Sequence, residues 1–378
     1  MRTLDELSDL AGKRVLVRVD FNVPLDKDGE VTDDTRISAA LPTLQRLRER
    51  DARLVLVSHL GRPKDREPEL SLRPVAERLS RLMESDVELA EDLDHVPDGD
   101  VVMLENIRYE PGETKNDPEL AKRLAALADA YVSDAFGSAH RAHASTEGVA
   151  HLLPSAAGLL LQREVETLTG ILENPARPLV AIVGGAKVTD KIGVLKAFLE
   201  RADAVLIGGA MAFPFLAVQG HSIGDSLCAE EDLEPARELL DQGSDKLQLP
   251  IDLVLGDRFD ADAERLELEG VDVLDGWMGL DIGPHTSDEY AEEIAGAGSV
   301  FWNGPMGAFE LRPFARGTRV VAEAVAAAKG TTVVGGGDSA AALHQFGLAD
   351  RVTHLSTGGG ASLELIEGKT LPGVEVLA

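Results

Sequence analysis

The sequence predicts an α/β protein with two doubly wound parallel sheets. Three observations point there. Short runs of Val, Ile and Leu recur, near-continuous rather than alternating, as strands buried on both faces require. Each run is followed by a helix-like stretch, the order of βα units. The runs form two series, and 378 residues exceed what one hydrophobic core usually serves.

The first series places strands at Arg14–Val19, Arg53–Val57, Val101–Leu104 and Ala130–Val132. The second places them at Leu179–Val183, Ala204–Ile207, Asp252–Leu255, Ser299–Trp302, Thr331–Val334 and Val352–Leu355. Between them lie helical patterns such as the one around Leu41, Leu44 and Leu47, and the helix formers of Val320–Ala328. The seam is expected at 155–178. Leu159–Leu172 reads as one helix, and Asn174-Pro175-Ala176-Arg177-Pro178 stops it.

Composition narrows the function. Lys plus Arg is 37 against 66 Asp plus Glu, a net charge of −29, with the acid excess in both halves. A nucleic-acid binder or a protein of anionic membrane surfaces needs a basic face. Acid-rich, lysine-poor surfaces suit solubility in high salt and equally suit high-GC coding. The one cysteine, Cys228, cannot form an internal disulfide, which fits a reducing compartment. It reads as a packed thiol or a nucleophile. The start, Met1-Arg2-Thr3-Leu4-Asp5-Glu6-Leu7, has no apolar targeting core, and no 18-residue apolar stretch occurs, so a cytoplasmic address is expected.

Open α/β sheets bind ligands at the carboxyl ends of their strands. In the first half these positions are Asp20-Phe21-Asn22-Val23-Pro24, with Arg36 beyond; Ser58-His59-Leu60-Gly61-Arg62-Pro63; Glu105-Asn106-Ile107-Arg108; and Asp134 through His143. Four arginines (Arg36, Arg62, Arg108, Arg141) and three histidines (His59, His140, His143) arrive at strand ends of a net-acidic domain. Arginine matches phosphate and carboxylate with paired donors, so this set predicts a pocket for a small polyanion. A single member reads more readily as a surface ion pair; it is the set arriving at one edge that points to the pocket.

In the second half the strand ends are glycine-rich: Gly184-Gly185-Ala186-Lys187-Val188-Thr189-Asp190-Lys191, Gly335-Gly336-Gly337-Asp338-Ser339-Ala340 and Ser356-Thr357-Gly358-Gly359-Gly360-Ala361-Ser362. Glycines let backbone N–H groups approach phosphates, and a helix start favours negative charge. Lys187 and Lys191 add point charges in a chain of 11 lysines, and Asp338 is a candidate for Mg²⁺. Gly335 through Ala340 fits G-x-G-x-x-A, but the acid expected about 20 residues on is absent from His354-Leu355-Ser356-Thr357-Gly358. A P-loop and the protein-kinase elements are also missing. A nucleotide site of another type is expected.

Five blocks make a resemblance specific: Arg18-Val19-Asp20-Phe21-Asn22-Val23-Pro24, Ser58-His59-Leu60-Gly61-Arg62-Pro63, Gly184-Gly185-Ala186-Lys187-Val188, Trp302-Asn303-Gly304-Pro305-Met306-Gly307 and Gly335-Gly336-Gly337-Asp338-Ser339. Together, in this order, they resemble the phosphoglycerate kinase family over nearly the whole chain. The chain is somewhat short for that family, which suggests trimmed loops.

The resemblance implies two Rossmann-like domains joined by a hinge helix. The N-terminal phosphoglycerate-binding domain is expected over 1–158, the hinge helix over 159–173, the nucleotide-binding domain over 174–364 and a tail returning to the N-terminal domain over 365–378. It implies reversible phosphoryl transfer from 1,3-bisphosphoglycerate to Mg-ADP, giving 3-phosphoglycerate and ATP, by a cytoplasmic glycolytic monomer with no nucleic-acid partner. By match to family motifs, Asp20, Phe21, Asn22, Arg36, His59, Leu60, Gly61, Arg62, Arg108 and Arg141 resemble the phosphoglycerate ligands. Gly185, Lys187, Lys191, Gly279, Asn303, Pro305, Glu310, Gly336, Gly337, Asp338 and Ser339 resemble the nucleotide site. Glu310 would accept from ribose hydroxyls and Asp338 would serve the metal. Arg36, Lys187 and the helix starts at Gly337 and Gly360 would neutralise the transferring group. Both nucleophiles, an ADP oxygen and a carboxylate, are already anions, so no general base is needed. A non-catalytic protein of the same fold is the competing expectation, and retention of Arg36, Lys187 and Asp338 argues against it.

Overall fold

A computed structural model describes residues 1–243 and 245–378. The chain divides into two compact units, Met1–Glu166 with Thr370–Ala378, and Thr167–Lys369.

The first unit holds β1 (Arg14–Val19), α1 (Thr35–Arg48), β2 (Arg53–Val57), α2 (Arg73–Met83), β3 (Glu88–Ala90), β4 (Val101–Leu104), α3 (Pro118–Ala125), β5 (Ala130–Asp134) and β6 (Ser155–Ala157). Its sheet runs β3-β4-β2-β1-β5-β6, and every pair is parallel. Near-continuous apolar strands bury both faces here, and Val15, Val17, Leu54 and Leu56 are sealed against Ile37 and Leu44 of α1 and Val75 and Leu79 of α2. The chain leaves β1 toward β2 on one side and later returns to β5 on the other. The sheet therefore opens a crevice at the carboxyl ends of β1 and β5.

Helix α4 (Leu159–Glu173) contains the division between the units. Its first turn is capped from within the first unit. Asp134 Oδ1 accepts from the N–H groups of Leu160 at 3.0 Å and Leu161 at 3.2 Å, and Thr43 Oγ1 accepts from Leu159 N–H at 2.9 Å. Burial pushes the Asp134 carboxyl up to about 7, against the lowering effect of these donors and Thr43.

The second unit holds β7 (Leu179–Val183), α5 (Ile192–Arg201), β8 (Ala204–Ile207), α6 (Ala212–Val218), α7 (Leu233–Gly243), β9 (Leu247–Gln248), β10 (Leu253–Gly256), β11 (Arg265–Leu268), β12 (Met278–Ile282), α8 (Pro284–Ala295), β13 (Ser299–Asn303), α9 (Arg316–Ala327), β14 (Thr331–Gly335), α10 (Gly337–Phe346), β15 (His354–Leu355) and α11 (Gly360–Ile366). Its main sheet, β15-β14-β13-β7-β8-β9, is again parallel throughout. The order reverses between β7 and β13, which places the second crevice. Helix α12 (Pro372–Glu375) lies in the first unit, where Arg2 N–H donates to Leu377 O at 2.6 Å and Gly373 N–H to Ala139 O at 2.9 Å.

One strand expectation needs correction. Asp252–Leu255 was expected in the parallel series. The strand there, β10, instead centres a three-stranded antiparallel sheet, β11-β10-β12. An apolar run announces burial but not the direction of its neighbours. Short β3, β6 and β9, two or three residues each, were also not expected, because so few residues carry no periodicity.

Candidate functional sites

In the first unit, β1 ends on Arg18, Val19 and then Asp20. Arg18 is 1% exposed, a guanidinium inside an apolar strand. Asp20 Oδ2 lies 3.0 Å from Arg36 on the first turn of α1, and Asp20 Oδ1 lies 4.0 Å from His59 Nδ1. Burial opposes the charge on Asp20, but Arg36 and Arg18 outweigh it and hold the carboxyl below its usual range. His59 is pushed down to about 3 by burial, with Arg18 adding and Asp20 only partly compensating. It is a neutral imidazole at physiological pH.

The loops after β1, β2 and β4 are tied together. Phe21 N–H donates to Ser58 Oγ at 2.9 Å, and Gly61 N–H to Asn22 Oδ1 at 2.9 Å. Buried Asn106 brackets Leu60, donating to its carbonyl at 2.8 Å and accepting from its N–H at 3.3 Å. Gly61, at φ +60, gives its carbonyl to Arg108 Nη1 at 2.6 Å. Burial and the charges of Arg18 and Arg141 lower the Arg108 pKa, opposed by Glu113 and Asp20. Arg18, Arg36, His59, Arg108 and Arg141 thus form one electropositive crevice over Asp20. Arg62, by contrast, is exposed. His143 is buried, with Nδ1 3.6 Å from Glu113 Oε1. Sequence reasoning assigned no role to Arg18 or Glu113. A charge inside Arg14-Val15-Leu16-Val17-Arg18-Val19 was a usable signal for the first; Glu113, in a polar loop, gave none.

In the second unit, the loops after β7, β13 and β14 interlock through backbone. A Cβ on Gly184 would stand 2.1 Å from Pro305 O, and one on Gly304, at φ +97, 2.2 Å from Gly184 O. Only glycine permits that approach. Lys191 Nζ donates to Gly184 O at 2.5 Å and Asn303 O at 3.1 Å. Burial lowers it to about 8, against the raising effects of Asp338 and Asp190. Asn303 Nδ2 donates to Gly335 O at 2.8 Å, and Gly304 N–H to Ser339 Oγ at 2.6 Å. Asn303, Ser339 and Lys191 therefore build the loops. Lys187 is half exposed and 3.5 Å from Glu231. Gly336, at φ +93, precedes α10, and Gly337 starts it with open space where a Cβ would be. Gly360 starts α11.

A cavity of about 710 Å³ opens beside these loops. Gly185, Gly279, Pro305, Glu310 and Asp338 line it, with apolar walls from Phe213, Leu253, Phe259, Met278 and Phe309. Gly279 is there because a Cβ would stand 2.1 Å from the Phe213 ring. The apolar walls come from α6, β10, β12 and the loops after β10 and β13, so no local pattern flagged them. The volume and the apolar lining suit a planar base, with Glu310 and Asp338 as acidic members of the lining. Asp338 is exposed on the first turn of α10. Mg²⁺ is commonly held by one or two carboxylates plus substrate phosphates, and Asp338 on this wall fits that arrangement.

The family model described as phosphoglycerate kinase matches residues 4–369. Curated relatives carry the same name. That of Roseiflexus castenholzii is 53% identical, covering 98% of this chain and 97% of its own. That of Anaeromyxobacter dehalogenans is 54% identical, covering 99% and 98%. Among solved structures, phosphoglycerate kinase from Coxiella burnetii superposes with a TM-score of 0.91 at 44% identity, over 99% of this chain and 98% of its own. The enzyme from Pyrococcus horikoshii gives 0.87 at 34% identity, over 100% and 98%. Among the described residues, no helix is long and apolar enough to cross a membrane.

Proposed function

The chain belongs to the phosphoglycerate kinase family, and from that premise we propose how its residues divide the work. The activity is reversible phosphoryl transfer between 1,3-bisphosphoglycerate and Mg-ADP, giving 3-phosphoglycerate and ATP, a glycolytic step.

The phosphoglycerate side belongs to the electropositive crevice of the first unit. Asp20, Phe21, Asn22, His59, Leu60, Gly61, Arg62, Arg108 and Arg141 shape or contact the ligand there. Arg141 serves the phosphate that is not transferred, and Arg36 the one that is. The nucleotide takes the cavity of the second unit, base against the apolar walls and ribose toward Glu310. The phosphates meet Gly185, Lys187, Gly336 and the helix starts at Gly337 and Gly360. Lys191, Asn303 and Ser339 act by holding those loops, and Pro305 by walling the cavity. Asp338 would be the protein carboxylate that holds Mg²⁺, whose charge would offset that of the phosphates. Since both nucleophiles are anions, the protein positions the reactants and neutralises the equatorial oxygens. Substrates held by different units require a closing motion that excludes water, with α4 as the hinge. A single cysteine and a net charge of −29 favour a soluble cytoplasmic protein, and we read it as a monomer.

One observation carries the partition: arginines and histidines crowd one crevice, and close-approach glycines the other. Calorimetry tests it. Asp338→Asn is expected to weaken Mg-nucleotide binding about tenfold or more, one charge-assisted contact being worth that much, while 3-phosphoglycerate binding is unchanged. A comparable loss of 3-phosphoglycerate affinity would overturn the partition.

A further inference from the structure

Beneath the crevice lies an acid that the reaction does not call for. Glu113 is 1% exposed. Its Oε2 accepts from Ser145 N–H at 3.0 Å and its Oε1 from the Ser145 hydroxyl at 2.6 Å, with His143 Nδ1 at 3.6 Å. Burial opposes its ionisation, but His143, Arg18 and Ser145 outweigh that and keep it a carboxylate. An ionised carboxylate only accepts, so the Ser145 proton points at Glu113. The Ser145 lone pairs are then free to receive Arg18 Nε, 2.9 Å away.

Arg18 is committed at all three nitrogens: Nε to Ser145, Nη1 to Val19 O and Nη2 to His59 Nδ1 at 3.2 Å. A guanidinium has no acceptor and does not deprotonate in proteins. His59 Nδ1 must therefore be the acceptor, and the ring's single proton sits on Nε2. The groups facing His59 are Arg18, Asp20, Arg108 and Arg36.

We propose that Glu113 is a positioning residue for phosphoglycerate binding, fixing His59 through Ser145 and Arg18 as a neutral ring that donates only from Nε2. The proposal rests on the reading above that His59 belongs to the phosphoglycerate site. The chain of contacts gives each link a direction. In Glu113→Gln the amide donates where the carboxylate accepted. The Ser145 proton is then turned toward Arg18, and the guanidinium loses its seat. In Ser145→Ala the link is removed outright.

The test is ¹⁵N NMR of histidine-labelled full-length protein between pH 5 and 8, paired with steady-state kinetics. Wild-type His59 is expected to show an unprotonated Nδ1 and a protonated Nε2 throughout. Glu113→Gln and Ser145→Ala are expected to mix the tautomers and let His59 titrate. They should raise the 3-phosphoglycerate KM about tenfold, in the range of a lost charge-assisted hydrogen bond, with less change in kcat and none in the nucleotide KM. A protonated Nδ1 in the wild type overturns the proposal. So does a His59 spectrum unchanged in the variants, or a changed spectrum with an unchanged KM. If Glu113→Gln does not fold, Ser145→Ala and the wild-type spectrum decide. His59→Ala separates the two readings. If it leaves the 3-phosphoglycerate KM unmoved, the site assignment fails. If it raises that KM while Glu113→Gln leaves the His59 spectrum intact, only the positioning role fails.

Discussion

The two proposed sites are built by opposite means. Both units carry a parallel six-stranded sheet, and each proposed site lies at the crevice where strand order reverses. In the first unit, side chains supply the charge: Arg18, Arg36, Arg108 and Arg141 around the neutral His59. In the second, the proposed nucleotide site is made of loops packed backbone to backbone beside the start of α10, with Lys191 and Asn303 holding the loops together. A side-chain site is an assembly of removable parts. A backbone site has few removable parts and fails mainly when its shape changes. Single substitutions should therefore act by function in the first unit and mostly by sterics in the second, its few charged side chains such as Lys187 and Asp338 excepted.

The largest expected effect tests the first half of that contrast. Arg36→Ala should lower kcat by about 10²–10³, as loss of one preorganised donor does, with a smaller change in the 3-phosphoglycerate KM. Arg141→Ala should do the reverse, raising that KM more than it lowers kcat. Steady-state kinetics that found the two alike would remove the division of roles.

Gly304→Ala tests the second half. Its Cβ would stand 2.2 Å from Gly184 O, at a φ of +97 that disfavours any side chain. Overpacking of that kind costs about 1–3 kcal/mol. Calorimetric unfolding should show the loss in the second unit, with weakened nucleotide binding and undisturbed 3-phosphoglycerate binding. Normal stability would mean that the loops yield more easily than their packing implies.

The smallest effect compares one buried acid in each unit. Burial raises Asp134 to about 7 and Asp281 to about 8, the latter against donors at Gly317 and Ile282. A raised carboxyl pKa means that the folded state holds more protons than the unfolded one. Stability from this source is full below about pH 4 and is lost as pH rises toward those values. Asp134 accepts the α4 N–H groups through Oδ1 alone, and an Asn oxygen reproduces that. Asp134→Asn should be neutral near pH 4 and raise the Tm by about 2–4 °C at pH 8, which corresponds to about 1 kcal/mol in a unit of this size. Asp281 uses both oxygens, Oδ1 for Ile282 N–H and Oδ2 for Gly317 N–H. An Asn there turns an amide N–H₂ against a donor, so Asp281→Asn should lower the Tm at both pH values. Melts at pH 4 and 8 check both, and a gain for Asp281→Asn would show that charge burial outweighs hydrogen-bond geometry.

Sequence by itself determined the parallel sheets, because strands such as Leu179–Val183 must be buried on both faces to be stable, and composition records burial directly. It also located the glycine loops and the arginines, since both follow strand ends. Tertiary structure decided what lies across from what. The run Asp252–Leu255 joined an antiparallel sheet because of its partners β11 and β12, which an apolar pattern cannot name. Lys191 and Ser339 also hydrogen-bond protein atoms of neighbouring loops, pairings that no sequence pattern carries. The link from Glu113 to His59 spans four segments brought together only by folding. Burial is a property of a residue and its near neighbours in the chain, so sequence carries it. Hydrogen-bond direction and close approach are properties of pairs distant in the chain, and they exist only once the chain has closed on itself.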